Sequence, residues 1–354
     1  MLTKLHFHLP IISLSILGLV VIFSVAPNQF ISQLIFVLIG LGLYFYLQRQ
    51  DTAIFANLGP YFYVFSLILL GATLIFGQNI RGATRWLTLG SFRLQTSEIA
   101  KPLLIMSYAN FLSRWKPINF KNILLNAILA FIPIFLIFLQ PDLGTATIHF
   151  FIWLTMLFVA GLPTVYIFLI GLFLAIGVYL APHLLHPYQL ERLLTFLEPQ
   201  RDPLGTGYNV IQATITIGSG RLWGRGLGRG TQAKLHFLPE RHTDFVFASL
   251  AEEFGFLGVV FLFGLFGWLI LHLLAICRQA LNPTSKLIII GSFAYLFFQT
   301  SLNLAMNLGL APVTGVTLPL ISYGGSSLLA TYITLGIAIS SLNRLQSKPS
   351  LEIK

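Results

Sequence analysis

Charge is what this sequence has least of. Only 9% of its 354 residues are Asp, Glu, Lys or Arg, and just 11 are acids, where soluble domains carry about 25% charged residues. With 56% hydrophobic residues and a mean hydropathy of +0.83, a soluble globular fold is excluded. One cysteine, Cys277, rules out an intrachain disulfide framework. There is no G-x-x-x-x-G-K-[ST] sequence, so a nucleotide-hydrolysing phosphate loop has no support. A G-x-S-x-G nucleophile elbow is also missing, which removes the common serine-hydrolase arrangement. His183, His186, His236 and His242 lie scattered in one loop without zinc-ligand spacing. The start, MLTKLHFH, runs into an apolar segment without an A-x-A-like cleavage site, so it reads as a first span and not as a signal peptide.

What is present is long apolar runs. Segments at 9–26, 30–48, 53–77, 97–113, 121–139, 144–160, 164–181, 244–276, 287–309 and 325–342 each approach the ~20 residues that cross a bilayer core as a helix. The expected fold is therefore an all-α polytopic membrane protein of about ten transmembrane helices, as one domain over residues 1–345. A long extracytoplasmic loop fills 182–243, and 346–354 is a cytoplasmic tail. An even number of spans puts both termini on one side. The short loops and tails on that side hold Lys4, Arg49, Arg114, Lys116, Lys121, Arg278, Lys286, Arg344, Lys348 and Lys354, so the positive-inside rule places both termini in the cytoplasm. The opposite side is equally basic by count. However, seven of its ten cations fall in the one long loop, where the rule has little force.

That basic outer side implies an anionic ligand. Within the long loop, Gly218, Gly220, Gly224, Gly226, Gly228 and Gly230 surround Arg221, Arg225 and Arg229, with Lys234 just after. Glycine-rich turns that present N–H groups beside arginines suit phosphate oxygens. A basic collar on phospholipid headgroups is the bland alternative. Segment 310–324, LAPVTGVTLPLISYG, is apolar but interrupted by Pro312, Gly315 and Pro319. Such a broken segment is tolerated at membrane depth only when covered by protein or lining a wet cavity.

Carboxylates are rare enough to weigh singly. If 244–258 is helical, Asp244, Ala248, Ala251, Gly255 and Gly258 fall within about 40° of one stripe, and Asp244 faces a close helix neighbour. It precedes the uninterrupted apolar run at Phe254 by about ten residues, roughly 15 Å, which is headgroup depth. Glu252 and Glu253 point elsewhere on the same helix and read as structural. Glu98 and Lys101, spaced i, i+3, can pair at the outer start of the fourth span.

With these segments laid out, the chain resembles the SEDS family (shape, elongation, division and sporulation; RodA, FtsW, SpoVE) over nearly its whole length. The resemblance rests on GATRWLTLGSFRLQTSEIAKP at 82–102, QPDLGTA at 140–146, FLEPQRDPLGTGYNVIQATITIGSGRLWGRGLG at 196–228, LPERHTDFVFASLAEEFGFLG at 238–258 and TGVTLPLISYGGSS at 314–327. Departures are Thr96, where the family usually has Pro, and Arg241, where it often has a small residue. The short tails are more like RodA than like FtsW.

The resemblance implies an inverting peptidoglycan glycosyltransferase that polymerises lipid II into glycan strands at the outer face of the bacterial cytoplasmic membrane. It also implies work beside a class B penicillin-binding protein. Asp244 matches the family's essential aspartate, and Glu98 and Lys101 match a charged pair in the same cavity. Arg221, Arg225, Arg229 and Lys234 are candidates for binding pyrophosphate. No cofactor is fixed by the sequence; a divalent cation, magnesium or manganese, on the pyrophosphate fits the chemistry, but no ligand set identifies it. No nucleic-acid partner is expected. A lipid II flippase and a scaffold that recruits a synthase are the competing readings.

Overall fold

The structure, a computed structural model, describes residues 2–80, 83–89, 92–184, 190, 194–198, 207–235, 237–280 and 282–341. Ten long helices follow the ten apolar segments. They are α1 (Leu2–Val25), α2 (Pro27–Leu47), α4 (Gly59–Phe76), α5 (Thr96–Arg114), α6 (Phe120–Leu139), α7 (Leu143–Val159), α8 (Thr164–Leu184), α11 (Val246–Gln279), α12 (Pro283–Asn307) and α13 (Gly325–Ser340). Shorter helices among the described residues include α3 (Thr52–Asn57) before α4, then α9 (Tyr208–Ser219) and α10 (Thr231–Lys234) inside the long loop. The tail after 341 and parts of 185–206 lie outside the described residues.

Six of the long helices are apolar and long enough to cross a membrane by length and composition alone, and shorter apolar helices accompany them. Their outward faces carry Phe23, Ile31, Ile68 and Phe168, all well exposed. A water-soluble bundle would bury such a surface; this one is built to meet lipid tails.

Inside, helices are drawn together by small residues and tied by hydroxyls. A Cβ at Gly40 of α2 would collide with the Tyr332 ring of α13. The Tyr332 hydroxyl meets Ser15 Oγ of α1 at 2.5 Å, and Tyr295 of α12 meets Thr331 of α13 at 2.7 Å. In a medium without water, each of these hydroxyls needs its partner.

Two features depart from the expected pattern. Residues 78–95, expected as loop, contain a three-stranded antiparallel sheet: β1 (Gln78–Ile80), β2 (Ala83–Leu89) and β3 (Phe92–Gln95), with Leu89 paired to Phe92 and Trp86 to Gln95. Helix α11 also begins only at Val246 and breaks at Gly255, where φ is 66° and ψ is −165°. The continuous helical stripe from Asp244 to Gly258 therefore does not exist. Asp244 stands in a turn ahead of the helix, and Gly258 lies beyond the break.

The broken segment between α12 and α13 is non-helical from 312 to 318. Side chains of α12 and of the segment itself satisfy its backbone: Asn303 Nδ2 donates to Val316 O at 2.7 Å, Gln299 Nε2 to Thr317 O at 3.1 Å, and Leu318 N to Ser322 Oγ at 2.8 Å. Gly144 of α7 lets this segment approach, because a Cβ there would press on Val316 and Thr314. Buried backbone at such depth requires pairing of this kind.

Candidate active site

Asp244 is held by its backbone. Its carbonyl accepts hydrogen bonds from Asn303 Nδ2 and Asn307 Nδ2, each at 3.0 Å, and both asparagines are fully buried on α12. The flanking turn is pinned in the same way. Ser322 Oγ donates to Thr243 O at 2.6 Å, Tyr323 N to His242 O at 2.8 Å, and Ser249 Oγ to Arg241 O at 3.0 Å. With its main chain fixed on three sides, the point from which the carboxylate projects is set, part of the preorganisation a reacting group needs.

The carboxylate reaches Gly315 of the broken segment. A Cβ built there would sit 3.5 Å from Asp244 Oδ2 and 3.9 Å from Arg85 Nη1. Gly315 has φ 72°, a region that suits glycine, and its missing side chain leaves the space that acid and guanidinium share. Arg85 comes from β2 and was not among the sequence candidates. It stands 3.7 Å from Asp142 Oδ1, donates to Pro141 O, and keeps a buried Nε without a hydrogen-bond partner among the described residues. Asp142 is the N-cap of α7, accepting from Thr145 N at 3.2 Å, and it also receives Gln95 Nε2 and Ser97 Oγ, each at 3.4 Å. Its charge is committed to four donors. Arg85 is thus fixed by one aspartate and turned toward a second.

Glu98 and Lys101 pair as expected, Nζ to Oε1 at 2.6 Å, but both are buried. Lys101 also donates to Gln299 Oε1 at 2.7 Å and lies 5.3 Å from the centre of the Tyr295 ring. Gln299 passes the connection to Thr317, whose hydroxyl meets Ser327 Oγ at 2.7 Å. The pair therefore braces the broken segment from below. Removing one partner of such a buried pair commonly costs 3–5 kcal/mol, because the other charge is stranded. Lys101→Met should accordingly lower thermal stability by that order, and the double variant Glu98→Gln/Lys101→Met should recover much of it in a detergent melting assay.

Arg221, Arg225, Arg229 and Lys234 lie together, but not beside Asp244. Their loop packs on α11 at the Gly255 break, about 14 Å along the helix from its start at the rise of 1.5 Å per residue. The loop is thus anchored away from the turn that carries Asp244, whereas Arg85 borders the same space over Gly315 as Asp244 does.

Residues 2–347 match the cell cycle protein family of FtsW, RodA and SpoVE. The chain belongs to that family. It is 40% identical over 306 residues to the peptidoglycan glycosyltransferase MrdB of Escherichia coli K12, covering 85% of this chain and 82% of that one. It is 37% identical over 320 residues to the probable peptidoglycan glycosyltransferase FtsW of Coxiella burnetii, covering 88% and 86%. Among solved structures, it resembles a chain of a peptidoglycan synthase complex, described for its coordination of polymerization and crosslinking, at TM-score 0.83, 36% identity and 97% and 98% coverage. The rod shape determining protein RodA of Thermus thermophilus matches at TM-score 0.73, 32% identity and 97% coverage of each chain. The chain is an integral membrane protein of this bacterial family.

Glu252 and Glu253 have structural roles. Glu252 Oε1 accepts from Gln232 N at 3.0 Å and lies 3.9 Å from Arg225 Nε. Glu253 Oε1 accepts from Gly228 N at 3.1 Å and from Ser24 Oγ of α1. Both carboxylates tie the glycine-rich loop to the bundle.

His242, two residues before Asp244, is half-buried, and its Nδ1 has no hydrogen-bond partner among the described residues. Burial pushes its imidazole below the usual histidine range, Glu240 pulls it up and Arg241 pushes it further down. The folded chain resists protonating this ring more than the unfolded chain does. Stability is therefore full above the ordinary value of about 6.5 and declines as pH falls from there through the lowered folded value. His242→Asn should flatten that acid-side decline in melting temperature.

Among the described residues, no three His, Cys, Asp or Glu side chains converge as a metal site. Asp142 is surrounded by donors, which leaves Asp244 as a single carboxylate over Gly315. A divalent cation there would depend mainly on substrate oxygens, the way magnesium usually rides on phosphates.

Proposed function

We propose that this protein is a peptidoglycan glycosyltransferase that polymerises lipid II into glycan strands at the outer face of the cytoplasmic membrane, beside a class B penicillin-binding protein. Both termini are cytoplasmic in this reading. The observation that carries it is that Asp244 Oδ2 and Arg85 Nη1 border one space over Gly315, in a chain whose relatives bear that activity in their names.

Lipid II joins its disaccharide to an isoprenoid through a pyrophosphate. Making a β-linked glycan from that α-linked donor inverts the anomeric carbon, so an acceptor hydroxyl attacks opposite the departing pyrophosphate. Asp244 takes the proton from the sugar 4-hydroxyl as it attacks. Arg85, whose Nη1 borders the space over Gly315, meets the leaving pyrophosphate, where charge develops. Arg221, Arg225, Arg229 and Lys234 form an outer rim that engages the phosphates earlier, as the lipid arrives. Glu98 and Lys101 hold the broken segment, and with it Gly315, in place. A divalent cation carried by the pyrophosphate is compatible, and no step depends on it.

The test is reconstitution. Purified chain with lipid II, alone and with its penicillin-binding partner, should yield long glycan strands on a denaturing gel. Transfer of lipid II between leaflets without polymer would instead make it a flippase. Neither product, with partner binding retained, would make it a scaffold.

A further inference from the structure

The break at Gly255 leaves helix α11 with unpaired backbone groups, and the glycine-rich loop fills them. Phe256 N donates to Arg221 O at 2.8 Å and Leu257 N to Leu222 O at 3.3 Å, while Arg225 N and Gly226 N donate to Glu252 O and Glu253 O at 2.9 and 3.0 Å. The contact is close enough that a Cβ on Gly224 or on Gly255 would strike the other strand's backbone. The two buried glutamates lock the same loop from its side chains. Such a loop is rigid.

Rigid backbone and buried acids turn every large side chain outward. Trp223 is 80% exposed, Leu222 61% and Leu227 53%. Arg225 stands between them and Arg221 and Arg229 flank them, all exposed, and neither Arg221 nor Arg229 makes a side-chain hydrogen bond or ion pair among the described residues. A tryptophan and two leucines held open by a built scaffold would be unfavourable in water. Their depth is set by what they are bonded to: Phe256 and Leu257 begin the lipid-facing stretch of α11, which continues with exposed Val260 and Phe261. The loop therefore sits where acyl chains give way to headgroups, the level at which tryptophan and arginine are both favoured.

We infer that residues 221–229 form a lipid-surface platform that inserts Trp223 and its leucine neighbours among the acyl chains and binds the phosphates of anionic phospholipid headgroups through Arg221, Arg225 and Arg229. Its occupant is the bilayer itself, chosen by the interleaving of cations with apolar side chains. A site for a soluble phosphate would not need the second set.

The experiment uses the full chain with Cys277→Ser and a nitroxide at Trp223→Cys, in vesicles of phosphatidylcholine with or without phosphatidylglycerol and without lipid II. The absence of lipid II keeps the outcome separate from the polymerase reading. The label should be shielded from a water-soluble nickel relaxant and accessible to oxygen. Native mass spectrometry should find phosphatidylglycerol retained over phosphatidylcholine. That preference should fall about fivefold for each arginine changed to glutamine, on the order of 100-fold in R221Q/R225Q/R229Q. A label open to nickel in vesicles, shielding that appears only when the penicillin-binding partner is added, or an unchanged headgroup preference in the triple variant would each overturn the platform.

Discussion

Asp244→Asn should insert, fold and melt as the wild-type chain does, yet polymerise lipid II 10²- to 10⁴-fold more slowly, the range a general base contributes. The clamp on this residue makes the expectation sharp. Asn303 and Asn307 bind its backbone carbonyl and not its carboxylate, so an isosteric amide leaves the turn intact while losing the ability to take a proton. The loss should fall on kcat, with KM for lipid II little changed, because an uncharged side chain of the same shape fills the same space beside Gly315. Single-turnover rates in detergent, with melting temperature measured on the same sample, would check both halves. Polymer formed at the wild-type rate would remove Asp244 as the base.

The helical architecture is legible in the sequence because hydrocarbon allows only helices with satisfied backbones to span it, so apolar runs translate almost directly into elements. The break at Gly255 is not. It lies in an apolar stretch without proline, and what forces φ to 66° is the approach of Gly224, some thirty residues earlier. The sheet at 78–95 was legible in principle. ATRWLTL and FRLQ flank the pair Gly90-Ser91, a two-residue connection typical of hairpins, but it sits in a segment too polar for a span and reads as loop. Helical phase placed Asp244 facing the bundle, while the structure sets it in a turn ahead of the helix and brings it there through α12 and the broken segment. Arg85 is invisible for a related reason: some 160 residues separate it from Asp244, and only the hairpin carries it back over Gly315. By contrast, Arg221, Arg225 and Arg229 are conspicuous in the sequence because they recur at regular spacing among glycines. That regularity reflects their loop's fit to the α11 break, and they line up along it instead of beside Asp244.

The second large effect belongs to Arg85. Arg85→Gln should lower kcat by 10²- to 10³-fold, as expected when one fixed donor to a developing negative charge is lost. It should also strand Asp142, which is almost fully buried and 3.7 Å from the guanidinium, so a fall in activity alone could be a fall in folded protein. Asp142 keeps Thr145 N, Gln95 and Ser97 as donors, and this limits the damage to the local site. The double variant Arg85→Gln/Asp142→Asn separates the two causes, since it removes the stranded charge and should restore melting temperature without restoring polymer. Arg85→Lys should fold as well and recover only part of the rate, because a single ammonium cannot serve Asp142 and the pyrophosphate with the two-sided geometry of a guanidinium. Recovery of full activity in the double variant would make Arg85 a structural partner of Asp142 and return the role of pyrophosphate sink to the loop arginines.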